Sequence, residues 1–389
     1  MTDDSPPDWD PFSDEVLADQ VTAYDEMRQR CPVAHSERLG WSLFRHADVK
    51  RVLADPSTFS NVVSRHRSVP NGMDPPEHTA YRRAIEPYFA RERLQRFEPL
   101  CHHIAERLLA PLASGTAFDF VEAFAVPFAA RCQCAFLGWP ESLSDTIRHW
   151  TRSNREAVLT GDRSQLAQIA SELEVFVAKM LHERRSSGAT HPADITGELM
   201  LARVEGKPLT EPELASVFRN WTVGEVGSLA AALGILVHHL AKDPDLQARL
   251  RGDDDAIAAA IEEILRVSGP LVANRRRVTR DVTLGGRQIA AGDRVTVMWI
   301  SANRDEAVFD DPGAVRLDRD QGENLLWGAG IHVCPGAPLA RLELRIALAH
   351  LLRAGTLRAA DDSPVPLAYP ENGWASLAVS LDPRAERPS

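Results

Sequence analysis

Apolar side chains in this chain recur mostly at intervals of three and four. That helical period is clearest over residues 76–89, 91–112, 164–184, 211–241 and 256–267. Alternation at every second position is rarer and short. It marks strands over 41–45, 282–289 (with Gly285-Gly286 between), 294–299 and 377–381, the third entered through a Gly292-Asp293 turn. Many helices with a few short strands predict a mainly α fold with small β-sheets. No internal repeat or low-complexity linker divides the chain, so residues 1–389 are expected to form one domain. Residues 1–12 are acidic and proline-bearing and read as poorly ordered. The longest apolar run, 229–237, is too short to span a bilayer.

Composition narrows the class. At 389 residues and 44% hydrophobic content the chain can bury a sizeable core. A net charge of −11 argues against a nucleic-acid partner. Five cysteines are scattered at 31, 101, 132, 134 and 334, and Cys132-x-Cys134 lacks the spacing of a zinc or thioredoxin site. They read as reduced thiols of a cytoplasmic protein. No basic segment followed by an apolar one opens the chain, so neither a signal peptide nor a membrane anchor is expected.

One cysteine is set apart by its surroundings. Trp327-Gly328-Ala329-Gly330-Ile331-His332-Val333-Cys334-Pro335-Gly336 leads into the helix-like run Ala337-Pro338-Leu339-Ala340-Arg341-Leu342-Glu343. Glycines let the backbone turn tightly and approach a flat ligand. Peptide N–H groups and the positive end of the following helix can stabilise a thiolate at Cys334. That combination suits an axial ligand of haem iron. The stretch resembles the haem-binding loop of the cytochrome P-450 family, with Trp327 where the family usually has Phe. The resemblance covers roughly residues 40 to 381, with the motifs in the family's order.

The resemblance implies the cytochrome P-450 fold and a haem b cofactor with Cys334 as the metal ligand, cradled by Trp327, Gly328 and Gly336. It implies that His78, Arg82, Arg276 and His332 hold the haem propionates. His78 and Arg82 share one helical face, and one arginine of Arg275-Arg276-Arg277 would face the haem with two in water. Glu263 and Arg266 match the family's Glu-x-x-Arg, and Arg319 matches its meander arginine. Buried together, the three would form an ionic network of structural importance. The segment with Ala302-Asn303-Arg304-Asp305, Phe309 and Pro312 also matches, while Asn324 stands where the family often has His.

The central helix departs from the family. Its acid–hydroxyl pair, which delivers the protons that O–O cleavage consumes, is replaced by Gly224-Glu225-Val226-Gly227-Ser228. Ser228 takes the hydroxyl position, Gly227 the acid position, and Glu225 carries an acid two residues earlier. Ser228 and Glu225 are therefore the candidate catalytic pair, with Glu225 either a proton donor or a charge for substrate. Family position alone assigns substrate contacts to the loop 61–72, to Leu271, Val272 and Ala273, and to Trp374. Arg65, His66 and Arg67 in that loop read as exposed charge. The implied activity is insertion of one oxygen atom of O2 into a C–H bond of a small organic substrate, by hydroxylation or N- or O-dealkylation. Electrons come from a ferredoxin- or flavodoxin-type donor. A hydrogen-peroxide-using peroxygenase and a non-catalytic haem sensor or carrier are the alternatives.

Overall fold

A computed structural model describes residues 8–64, 67–186, 194–360 and 364–383. Helices dominate, as the period predicts. Glu77–Ile85 continues as a 3-10 turn to Phe89, and Arg91–Leu109, Arg163–Ser186 and Asp254–Val267 follow the periodic segments within a few residues. Two helices, Val126–Leu137 and Ser144–Thr160, were not anticipated. The first buries Pro127, Phe128, Ala129, Ala130, Cys132, Gln133, Cys134, Phe136 and Leu137. A helix buried nearly all round has no polar face, so its sequence carries no period.

The longest helix, Glu211–Lys242, runs through the middle of the core. It opens on a capping box, Thr210 and Glu213 each bonding the other's backbone, with Pro212 in the first turn. It stops at Asp243, just before Pro244 starts the next helix. Between Val223 and Leu229 the winding loosens to a π-helix. That segment holds Gly224 and Gly227, two of the three glycines in the helix. By length and composition this helix could cross a membrane, which revises the expectation from the shorter apolar run. In this fold 67% of its most apolar window is buried inside the protein. Leu233, Leu236, Val237 and Leu240 are fully buried on it. Each contributes on the order of 1.5–3 kcal/mol relative to exposure.

The helices Arg91–Leu109, Val126–Leu137, Glu211–Lys242 and Ala337–Ala354 pack against one another around the main core. To one side lies a five-stranded sheet in the order Val33–Ser36, Gly40–Leu43, Arg294–Met298, Ala273–Val278, Phe59–Ser60. Only the Gly40–Leu43 and Arg294–Met298 pair is parallel, with Val295 opposite Trp41. The N-terminal expectation changes for residues 8–12, while residues 1–7 lie outside the described residues. Trp9 is buried, its ring 5.2 Å from Phe44 and 6.2 Å from Tyr24, and Phe12 meets Tyr369 at 5.3 Å. An aromatic anchor of this kind outweighs the local signals of a disordered end.

Candidate active site

Between the central helix and the Cys334 loop lies a cavity of about 360 Å³. Its floor is the glycine loop. Gly328 and Gly330 have φ of +72° and +69°, and a Cβ at Gly330 would stand 2.6 Å from Leu53 O, so no larger residue fits there. Gly336 has ordinary helical φ, −81°, and its lack of a side chain instead keeps room beside Phe89 and the Cys334 sulfur. The loop is closed by Cys334 N–H donating to Trp327 O at 2.8 Å. The Cys334 sulfur opens onto the cavity. Burial pushes its thiol pKa up, while N–H groups of Gly336 and Ala337 and the charge of Arg82 act the other way.

Trp327 does more than supply an aromatic face. Its indole N–H donates to Glu262, 3.0 and 3.1 Å from the two oxygens, and Glu262 also accepts from Arg341 Nε at 2.7 Å. The Arg341 guanidinium lies 4.9 Å from the centroid of the Trp327 ring. Phe could not make the first of these bonds. Glu262 was missed in the sequence because its neighbour Glu263 carries the recognisable spacing.

One rim of the cavity collects cations and unpartnered imidazoles. His78 and Arg82 are buried on Glu77–Ile85, and the His78 and His332 rings are 4.2 Å apart. Both His78 nitrogens and Nε2 of His332 are buried without a hydrogen-bond partner. Burial lowers the pKa of both histidines, that of His332 to about 3, with His78, Arg276 and Arg82 adding to the effect on His332. In the strand Ala273–Val278 the side chains alternate, so Arg276 is buried while Arg275 and Arg277 are exposed. Among the described residues Arg276 makes no ion pair, its Nη1 donating instead to the carbonyl of Arg275, and burial lowers its pKa to about 10. Arg82 donates to Glu86 at 2.7 Å and Val333 O at 2.6 Å. A buried cation and three orphaned ring nitrogens are the donor set that two carboxylates would satisfy. The residues present therefore fit a haem, thiol below and propionate partners at the edge.

Glu263 and Arg266 are fully buried. Arg266 grips the Glu263 carboxylate with both arms at 2.8 and 2.9 Å, Arg319 Nε adds a third bond at 2.8 Å, and Gln321 a fourth at 3.0 Å. Arg266 also donates to the carbonyls of Asn303, Pro312 and Ala314. This binds the helix Asp254–Val267 to the segment leading into the cysteine loop. Asn324 joins the same region, donating to Glu262 O at 3.2 Å and to Gln321 at 2.8 Å.

On the central helix, Gly224, Glu225 and Ser228 all line the cavity. Glu225 Oε1 is buried with no hydrogen-bond partner, and Glu343, fully buried on the helix after Cys334, is an ionisable neighbour. Burial raises both carboxyl pKa values, and the neighbouring Glu225 adds to the rise at Glu343. Glu343 lay in plain view in the loop motif, but only the fold brings it to Glu225.

The substrate contacts drawn from family position need correction. Leu271 lines the cavity. Val272 and Ala273 instead pack into the cluster with Met298, Ile300 and Tyr369 and are not part of the cavity lining. Trp374 stacks on His238 at 4.3 Å and packs beside Gly234, outside the cavity lining. Arg67 pairs with Glu77 and Glu213, and Arg65 and His66 lie outside the described residues.

Comparison with known proteins agrees with this geometry. The family model described as cytochrome P450 matches residues 151–382. The chain is 31% identical over 358 residues to the erythromycin C-12 hydroxylase of Saccharopolyspora erythraea, covering 87% of this chain and 89% of the relative. It is 32% identical over 370 residues to the nocardicin C N-oxygenase of Nocardia uniformis, covering 88% and 89%. Among solved structures, the open cytochrome P450 EryK of S. erythraea superposes with a TM-score of 0.86 at 27% identity, covering 96% of this chain and 99% of that one. With a thiol-floored cavity and matches of this extent, the chain belongs to the cytochrome P450 family and is a bacterial-type haem-thiolate monooxygenase.

Proposed function

We propose that Cys334 is the iron ligand of a haem b whose propionates are held by Arg82, Arg276, His78 and His332. The observation that carries this is the donor set at the cavity rim: Arg276, buried without an ion pair among the described residues, and His332 line the cavity onto which Cys334 opens, and His78 lies against His332, the two histidines leaving three buried nitrogens without partners. Bound there, the haem supplies reductive activation of dioxygen, aided by a thiolate that pushes electron density toward it. The remaining work belongs to the chain. N–H groups of Gly336 and Ala337 offset the charge on the sulfur. Trp327, Gly328 and Gly336 shape the floor, and the Glu263–Arg266–Arg319 network keeps the loop at a fixed height beneath the central helix.

Ser228 holds a water or passes a proton at its Oγ, and Glu225 with Glu343 sets the proton content of the wall beside it. Phe89, Trp221, Leu229, Ala232 and Leu271 make much of the cavity lining apolar. A mostly apolar small organic molecule fits it, oriented by few polar groups. Relatives named hydroxylase and N-oxygenase support oxygen transfer to carbon or to nitrogen. The two electrons per turnover come from a ferredoxin- or flavodoxin-type donor in the cytoplasm. The test is a ligand screen on the haem-loaded protein. Apolar candidates should shift the haem to high spin, and binders should give one oxygenated product with a surrogate donor. A protein whose carbon monoxide complex lacks the thiolate Soret position would overturn the assignment.

A further inference from the structure

Monooxygenation consumes two protons per dioxygen, and a cavity closed to water must be fed with them by a relay. Ser228 is the hydroxyl that the central helix presents to the cavity. Glu225 is a poor sole supplier. Its Oε1 is buried without a partner and it leans on the fully buried Glu343, so this pair has no evident way to regain a proton from bulk water.

The residue next to Ser228 is Gly227, buried in the π segment with φ outside the left-handed region, so no conformational need excludes a side chain there. A Cβ at Gly227 would have one non-neighbouring heavy atom within 4 Å, Oε1 of Glu371, at 3.4 Å. A carboxylate from the far end of the chain thus fills the space beside Ser228. It is firmly held there. Glu371 N–H donates to Ala368 O at 3.1 Å, and Glu371 bridges to Leu271. Asn372 bonds Pro270 O, Ser268 Oγ and Gly269 O. Gly373, at φ +117°, fits within 3.2 Å of Ala231 O on the central helix, measured from where its Cβ would be. The other Glu371 oxygen is 2.5 Å from Arg155 Nε on the helix Ser144–Thr160, and the two side chains are 22% and 24% exposed. One carboxylate, on a partly exposed side chain, therefore joins Arg155 to the backbone beside Ser228.

We propose that Glu371 is the proton-relay residue of this enzyme, a positioning residue acting through Ser228. In each delivery the Glu371 carboxyl gives its proton to a water bonded to Ser228, the Ser228 hydroxyl passes a proton to the oxygen being reduced, and Glu371 regains one from bulk water. Two deliveries and two electrons from the donor turn dioxygen and a C–H bond into an alcohol and water. This rests on the oxygen-reducing activity, so oxygen uptake by the wild-type enzyme is established first.

The test uses haem-loaded enzyme with plant ferredoxin, its reductase and NADPH, and no substrate. Oxygen then leaves as hydrogen peroxide, taking two electrons, or as water, taking four electrons and four protons. Glu371→Gln should raise the peroxide share at least about threefold and enlarge the solvent deuterium effect on oxygen uptake, a modest fraction of what general acids contribute. Arg155→Gln breaks the same ion pair but keeps the acid, and its peroxide share should stay within about 1.5-fold of wild type. Gly227→Glu combined with Glu371→Gln should bring the share back. Melting temperature gives a readout independent of turnover: both single variants should lose the same amount, and the double variant should regain part of it as position 227 reaches Arg155. Equal peroxide shares for Glu371→Gln and Arg155→Gln would reduce Glu371 to a strut and overturn the proposal. So would a double variant that melts like wild type but still releases excess peroxide. If Glu371→Gln alone does not retain haem, the double variant decides, a wild-type share supporting the relay and an elevated share overturning it.

Discussion

At the scale of single residues, the site contrasts groups whose partners are all present with groups that wait for one. Glu263 is of the first kind. Burial by itself would raise its pKa, but hydrogen bonds from Arg266, Gln321, Arg319 and the Arg316 N–H hold it at about 2. The folded value lies below the unfolded one, near 4.3. Its stabilisation is therefore complete above that pH and fades as pH falls toward 2. Glu263→Gln leaves Arg266 buried and unbalanced, and should cost about 3–5 kcal/mol at neutral pH. Urea unfolding from pH 7 down to pH 3 should show the variant's deficit shrinking as acid is added. Cys334 is of the second kind. Cys334→Ser should keep the fold, since no described side chain depends on the sulfur, but should remove the long-wavelength Soret band of the carbon monoxide complex. Retention of that band in the variant would show that the thiolate comes from elsewhere.

At the scale of elements, the central helix departs most from regular geometry where its chemistry lies. Its ends are conventionally made, with the Thr210–Glu213 box at one and Asp243-Pro244 at the other, while its middle is the π segment Val223–Leu229. Gly224 in that segment meets nothing within 4 Å of a would-be Cβ, and it lines the cavity. Gly224→Ala should therefore stabilise the holoprotein by up to about 1 kcal/mol in urea unfolding, since Ala is the better helix former. The added methyl should also narrow the set of ligands that give a high-spin shift. A destabilised variant would mean that the π winding itself depends on glycine. The placement of Glu225 on the cavity follows from helix geometry. A regular helix would carry it about 200° from position 227. In the loosened segment Glu225 and Ser228 line the same cavity.

At the scale of the whole molecule, the cavity rim gathers Arg82, Arg276, His78 and His332 from three separate stretches of chain, and of the two arginines only Arg82, through Glu86, has an ion-pair partner among the described residues. Haem binding should therefore raise stability strongly. At free haem near 1,000 times its dissociation constant the gain is about 4 kcal/mol. Differential scanning calorimetry should show apoprotein melting well below holoprotein, and Arg276→Met should narrow the gap by weakening haem retention. Equal melting of the two forms would count against a haem-completed rim. The sequence by itself determined the mainly helical architecture, because amphipathic helices write their period into the chain. It also determined the cysteine loop, Glu263–Arg266 and the His78–Arg82 face, because each is local and its spacing is its geometry. It was silent on Val126–Leu137, whose all-round burial leaves no period, and it misplaced Val272 and Ala273, whose direction depends on the strands beside them. Only the tertiary structure decided the Trp327–Glu262 bond, the pairing of Glu225 with Glu343, and the arrival of Glu371 beside Gly227. Those contacts join residues far apart in the chain, and no local spacing encodes which distant side chain will fill the space that a glycine leaves open.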